Sequence, residues 1–335
     1  MNIAEIAKLA GVSSAAVSRY FNHGYISEEK KESIRKVVEQ TGYRPSMQAQ
    51  TLRTKKTRLI GVILPRIDSA SISSMIAGIL SVSNVSGYHL LLTDTQNDPA
   101  KELESLSIFN EKQVDGVILI ATVFTAAHRK LLKNMSVPVV LIGQSLPGSN
   151  CVCHDDYHAT YELTEMFLNK GRKRLGFISV FHQDQAAGAE RFRGYCDAVK
   201  HKGAADLAEN YVVSDGFTLD SGFQAARNLL ERRGMVDGII CATDTLAVGA
   251  LQYLKSREIL VPDQVWLAGH GDSSLSGVTT PTVTTVHYSY EECGMLAGQM
   301  LMELLEKGKM AAKEVRLGCQ VVVKGSGGGE GVRNG

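Results

Sequence analysis

The chain has 335 residues, of which 44% are hydrophobic and 21% charged, a soluble globular composition with room for two or three domains. Met1 is not followed by a basic and then an apolar signal segment, and no apolar run approaches the roughly 18 residues of a membrane span, so a cytoplasmic protein with no membrane partner is expected. The six cysteines are scattered, which in that compartment argues for small buried hydrophobes rather than a disulfide framework. The near-neutral total hides an asymmetry: residues 1–58 carry 11 Lys+Arg against 5 Asp+Glu, whereas the rest carries 25 against 30. A compact basic module on a mildly acidic body is the layout expected when only the module meets phosphates.

In chain order, apolar residues fall at helical spacing at Ile3, Ile6, Ala7 and Leu9, and again at Val12, Ala16, Val17, Tyr20 and Phe21. Gly11 lies between the two sets, where a tight turn needs a positive φ, and Ser13 or Ser14 can cap the second helix. Two short helices meeting steeply form a helix-turn-helix, whose second helix starts with Ser14, Ala15, Ser18 and Arg19 available to a DNA major groove. Ser27 opens a third helix with Glu28 and Glu29 in its first turn, and Gly42 closes it. Val12, Val17, Phe21, Ile34 and Val38 are the expected core of this three-helix head. Residues 46–58 follow, with few apolar residues and four cations at Arg53, Lys55, Lys56 and Arg58, too polar for a stable isolated helix.

From Leu59 short apolar runs alternate with helix-like stretches. The runs cover 59–65, 88–95, 114–122, 137–144, 175–181, 236–244 and 265–272. This alternation predicts an α/β fold with two doubly wound parallel-sheet subdomains. VDGVILIAT and VDGIICATD occupy equivalent places in the two halves, and a fold of two like halves binds its ligand in the crevice at the carboxyl ends of the strands. Candidate effector-binding residues past those ends are Asp68, Ser69, Ser73, Thr122, Phe124, Gln144, Thr243, Asp244 and Asp272, with Tyr288 and Tyr290 on a crossover. Asp244 is equally placed to cap the helix that follows it.

Other chemistry finds little support. CVCHDDYH at 151–158 gathers potential zinc ligands, but Asp155 and Asp156 suit a helix cap and first turn better, so no metal is expected. GHGDSSLSG is not a nucleophile elbow, and neither a P-loop nor a dinucleotide fingerprint is present, so no enzyme activity and no cofactor are expected.

The segments AEIAKLAGVSSAAVSRYFN and GYISEEKKESIRKVVEQTGYRPSMQAQTLRTKKTRLIGVILP resemble the N-terminus of the lactose repressor family of bacterial transcription regulators, and a weaker match runs to about residue 323. The resemblance implies a head (1–45), a hinge helix (46–58) and a body like the periplasmic sugar-binding proteins. That body would divide into an N-subdomain (59–156 plus 288–316) and a C-subdomain (157–287 plus 317–324). The glycine-rich stretch 325–335 is expected to be a disordered tail, with no tetramer-forming heptad and hence a homodimer. On double-stranded operator DNA, Arg19 matches a recognition-helix position that contacts DNA, Ser13 and Asn22 match positions near the backbone, and Leu52 would wedge into the minor groove with Ala49 letting paired hinges approach. Ser14 and Ala15 stand at the positions that most determine operator sequence. In the body, Arg191 matches the family's pocket arginine and Phe217 an aromatic that stacks on a sugar, while Gly271 replaces an acid common in the family. The resemblance thus implies a repressor controlled by a small sugar or sugar phosphate, most similar to sucrose or fructoside operon repressors. The alternative is control by a corepressor such as a purine, or by a protein partner.

Overall fold

The computed structural model describes residues 1–21, 24–43, 56–308 and 310–329. By contacts the chain divides into Met1–Arg58 and Leu59–Gly335. Among the described residues no helix is long and apolar enough to cross a membrane.

The first unit holds helices α1 (Ile3–Leu9), α2 (Ser14–Phe21) and α3 (Glu28–Thr41). A capping box at Asn2 and Glu5 starts α1, and Gly11 turns the chain into α2 at φ 65°. The Ser13 hydroxyl accepts from the Ala16 amide, so it is the capping serine of α2. Ser27 precedes α3 without the expected side-chain cap, while Gly42 ends it in the left-handed conformation. Ile6, Ala7, Ala16, Val17 and Ile34 form the buried core, with Val12, Phe21 and Val38 packed against it.

The second unit contains a six-stranded sheet in the order β11-β5-β4-β3-β1-β2 and a four-stranded one in the order β7-β6-β8-β9. The strands of the larger sheet, all parallel, are β1 (Leu59–Leu64), β2 (His89–Asp94), β3 (Gly116–Ile120), β4 (Val139–Ile142), β5 (Asn150–His154) and β11 (Glu314–Leu317). The smaller, also parallel, has β6 (Leu175–Ser179), β7 (Tyr211–Val213), β8 (Gly238–Cys241) and β9 (Trp266–Ala268). All seven apolar runs contain strands; six are largely buried on both faces, as parallel strands between helix layers are, and the seventh, β2, is an edge strand with Leu91 and Leu92 exposed. A small antiparallel pair, β10 (Thr285–Tyr288) with β12 (Cys319–Val322), carries the chain between the two sheets.

Each lobe has its own core, one around Phe167, Phe177, Tyr195 and Leu229, the other on both faces of the larger sheet. The helices Ala70–Val85 and Tyr290–Lys307 cross so closely that a Cβ on Gly294 would lie 2.0 Å from the Met75 carbonyl oxygen. Glycine there is a packing requirement, and it brings residues from far apart in sequence to one wall of the cleft.

The expectation of a disordered tail from 325 does not hold for 325–329. Gly325–Gly327 make a turn, and Ser326 is fully buried. Its hydroxyl donates to the Leu267 carbonyl at 2.5 Å and accepts from the Thr284 amide at 2.8 Å. Glycine content predicted freedom, but these long-range hydrogen bonds hold the segment. Residues 330–335 lie outside the described residues.

Candidate functional site

In the head, Ser13, Ser14, Ala15 and Arg19 are exposed at the start and along one side of α2, and Ser18 is half-buried. Small side chains at the first positions let the helix approach a groove closely, and Arg19 supplies the charge. Asn22, Ala49 and Leu52 lie outside the described residues.

In the body, a cleft of about 770 Å³ opens at the carboxyl ends of both sheets, where ligands of doubly wound folds sit. Of the residues expected there, Ser69, Thr122, Arg191, Phe217, Thr243, Asp244, Asp272, Tyr288 and Tyr290 line it. Four do not. The Asp68 carboxylate points outward, 77% exposed and 3.2 Å from Arg66 Nε. Ser73 is exposed on the outer side of its helix. Phe124 packs into the core on one face of the larger sheet. Gln144 is buried and its side-chain amide donates to the Thr122 carbonyl, so it braces the loop behind the wall. Sequence places residues just past strand ends but not which way the chain turns next.

The floor is organised by a buried ion pair. Arg191 opens the helix Arg191–His201, and its Nε donates to Asp156 Oδ1 at 2.7 Å, with Nη2 2.7 Å from the same oxygen. Nη1 donates to the Ala242 carbonyl, and the guanidinium lies 5.0 Å over the Tyr288 ring. These contacts take three of the five N–H groups of the fork, and the Tyr290 hydroxyl is a further partner of the guanidinium. Asp156 is in the first turn of its helix and Asp155 caps it, accepting from the His158 amide.

The acids have different roles. Thr243 caps the helix Asp244–Ser256. The Asp244 carboxylate accepts from the Thr285 hydroxyl and from the amide and hydroxyl of Ser273 at 2.7 and 3.0 Å, which ties down the loop after β9. Burial nevertheless pushes its pKa up. Asp272, at φ 47°, accepts from Lys324 Nζ at 2.7 Å and lies 3.0 Å from His287 Nδ1. Burial opposes its ionisation, but these two partners hold its carboxyl below the usual range. Thus Asp244 and Asp272 shape the wall as well as line it.

Several cleft residues were not legible in the sequence. Asp184 caps the turn Gln185–Glu190, and burial raises its pKa to about 6. His270 is buried between the Cys241 carbonyl at 2.8 Å and the Thr160 hydroxyl at 2.9 Å; burial lowers its pKa to about 3, so the ring is neutral. His154, at the end of β5, meets the edges of Tyr288 and Tyr290 at 5.1 and 5.3 Å. Arg66, after β1, lies 5.2 Å over the Phe217 ring of the other lobe, so one face of the ring expected to stack on a sugar faces a guanidinium.

A helix-turn-helix head joined to a two-lobed body with a deep polar cleft defines a DNA-binding regulator with a small-molecule domain. Residues 2–46 match the model of bacterial regulatory proteins of the lacI family, and 164–327 match the periplasmic binding protein-like domain. The chain thus carries a DNA-binding domain of the lacI family of bacterial regulatory proteins and a periplasmic binding protein-like domain, the domain pair of a transcriptional regulator. It is 28% identical over 305 residues to a sucrose operon repressor of Staphylococcus xylosus, covering 91% of this chain and 94% of that one. It is 29% identical over 321 residues to catabolite control protein A of Priestia megaterium, covering 95% and 96%. The structure of the lac repressor dimer bound to operator and the anti-inducer ONPF shares the fold at a TM-score of 0.89, with 18% identity over 98% of this chain and 99% of that one.

Proposed function

We propose that this regulator is a sugar-responsive repressor of a carbohydrate-utilisation operon, acting in the cytosol as a homodimer on a pseudo-palindromic operator. A sugar in the cleft touches both lobes, and its different affinity for their open and closed arrangements changes operator affinity. One observation carries the reading: hydrogen-bonding groups from both lobes, Arg191, Asp156, Asp184 and Tyr288 among them, converge on a single cleft of small-molecule size.

Lining charges favour an uncharged sugar over a sugar phosphate. Arg66 and Arg191 face Asp156, Asp184, Asp244, Asp272, Glu291 and Glu292, and Arg191 is already paired with Asp156. A purine is disfavoured because the lining contributed by the strand ends and helix of the larger sheet before residue 154, such as Ser69, Ile72, Met75 and Thr122, includes no aromatic ring to stack a base. Similarity to the sucrose operon repressor makes sucrose or a related fructoside the first candidate. The homodimer is supported by an apolar surface around the open edge of the larger sheet, where Leu80 and Val85 of one helix and Leu91 and Leu92 of β2 are exposed.

The test is a thermal-shift screen of the purified protein with sucrose, fructose, other common sugars, sugar phosphates and purines. Stabilisation by a neutral sugar is expected. Stabilisation by purines alone, or by no small molecule, would discard the sugar reading.

A further inference from the structure

Among the described residues, four buried side-chain atoms have no hydrogen-bond partner: Glu102 Oε1, His128 Nε2, His154 Nε2 and the Tyr288 hydroxyl. The first two face each other at 3.2 Å as a buried His–Glu pair. The other two have no such explanation. His154 is 8% exposed and Tyr288 2%, and both line the cleft. Folded proteins seldom leave buried polar atoms unsatisfied, because each has lost its water.

The ring chemistry says what would satisfy them. Burial lowers the pKa of His154, so the imidazole is neutral, and its interaction with the backbone of Ser289 favours a proton on the ring. With that proton on Nδ1, Nε2 carries only a lone pair and needs a donor. The Tyr288 hydroxyl can donate. The two rings meet edge to face at 5.1 Å, and both residues line the same cleft.

We propose that His154 and Tyr288 together select the effector by taking a hydroxyl group of the ligand, which donates to His154 Nε2 and accepts from the Tyr288 hydroxyl. A hydroxyl is both donor and acceptor; a fully ionised phosphate cannot donate, and an ammonium group cannot accept. A sugar lacking that hydroxyl leaves both atoms bare and is rejected. This rests on the sugar reading of the cleft and adds to it a residue, His154, and the ligand group it recognises.

The proposal separates two measurements that a structural role would couple. Full-length wild type, His154→Phe, Tyr288→Phe and His154→Gln are compared by calorimetric melting without ligand and by titration with sucrose, D-fructose, D-glucose, cellobiose and fructose 1-phosphate. Removing only an unsatisfied hydroxyl should leave the ligand-free Tm of Tyr288→Phe equal to or above wild type, whereas His154→Phe also gives up the contact with the Ser289 backbone and is read by its affinity. The same variants should bind the sugar that wild type binds about tenfold more weakly or worse, the cost of one buried hydrogen bond. His154→Gln, which keeps an acceptor, should recover part of the affinity. A fall in the ligand-free Tm of Tyr288→Phe, or undiminished sugar binding by either Phe variant, overturns the proposal. If the ligand-free Tm of Tyr288→Phe holds or rises while none of the five compounds binds wild type, the sugar reading fails and the ligand-facing role of the Tyr288 hydroxyl is supported by the melting result.

Discussion

Replacing Arg191 by Met tests the floor of the cleft most severely. The side chains of Arg191 and Asp156 are 9% and 7% exposed, and the pair is joined by two contacts of 2.7 Å. Arg191→Met leaves Asp156 with its charge buried and its partner gone, which costs about 3–5 kcal/mol. In a body of this size that is roughly 6–20 °C in Tm, at about 2–4 °C per kcal/mol. Asp156→Leu should be similarly damaging, because it strands the guanidinium. The double variant Arg191→Met, Asp156→Leu removes both charges and leaves mainly the Ala242 carbonyl without its donor, a cost of about 1–3 kcal/mol. It should therefore melt above either single variant, yet bind no sugar, since the fork that addresses the ligand is gone. Thermal melts of the four proteins, with and without sugar, provide the assay. A double variant whose loss equals the sum of the single losses would show that the pair is not coupled and would refute this account of the floor.

Three further outcomes are expected. Gly294→Ala should destabilise the body by about 1–3 kcal/mol and weaken ligand binding, because the added methyl meets the Met75 carbonyl at the helix crossing and Met75 and Glu291 line the cleft; melting and titration check both. Lys324→Met should lower Tm modestly, by about 1 kcal/mol for a partly exposed pair, and should weaken sugar binding more than that by freeing Asp272 and the loop after β9. The pH dependence of stability has two opposed contributions. His270, lowered to about 3, stabilises the fold fully above its unfolded value and loses that contribution as pH falls from about 6.5 toward 3. Asp184, raised to about 6, favours the fold below its unfolded value of 3.8 and loses that contribution as pH rises through about 6. Asp184→Asn, which can still cap its turn, should thus gain up to about 3 kcal/mol over wild type at pH 7.5, shrinking as pH falls toward 4; melts across that range would show it.

The strands of the body were legible because parallel strands buried on both faces must be continuous apolar runs, and the head was legible because Gly11 separates two apolar sets with helical spacing. Strands β5, β7, β10, β11 and β12 fall outside those runs; in the last two, residues such as Glu314, Arg316 and Gln320 break the apolar pattern. Long-range partners were the second blind spot. Nothing local announces that Ser326 is held by Leu267 and Thr284, or that Lys324 reaches Asp272. The cleft divided in the same way. Arg191 was reached through family resemblance, Asp244 through its strand end and Tyr288 through its place on the crossover, whereas His154, sitting among possible zinc ligands, gave no sign that its ring turns toward two tyrosines. Phe124 misled because the chain turns after β3 into the core of the larger sheet rather than across the cleft.

The central claim is that a sugar in the cleft changes operator affinity. Its most direct test is fluorescence anisotropy of a labelled palindromic fragment from beside the protein's own gene, titrated at one fixed salt concentration with and without the stabilising sugar. The account predicts that the sugar weakens the complex by about 5–150-fold, the usual range of allosteric coupling, and that Arg191→Met abolishes this response. Identical operator affinity with and without a sugar that demonstrably occupies the cleft would contradict it.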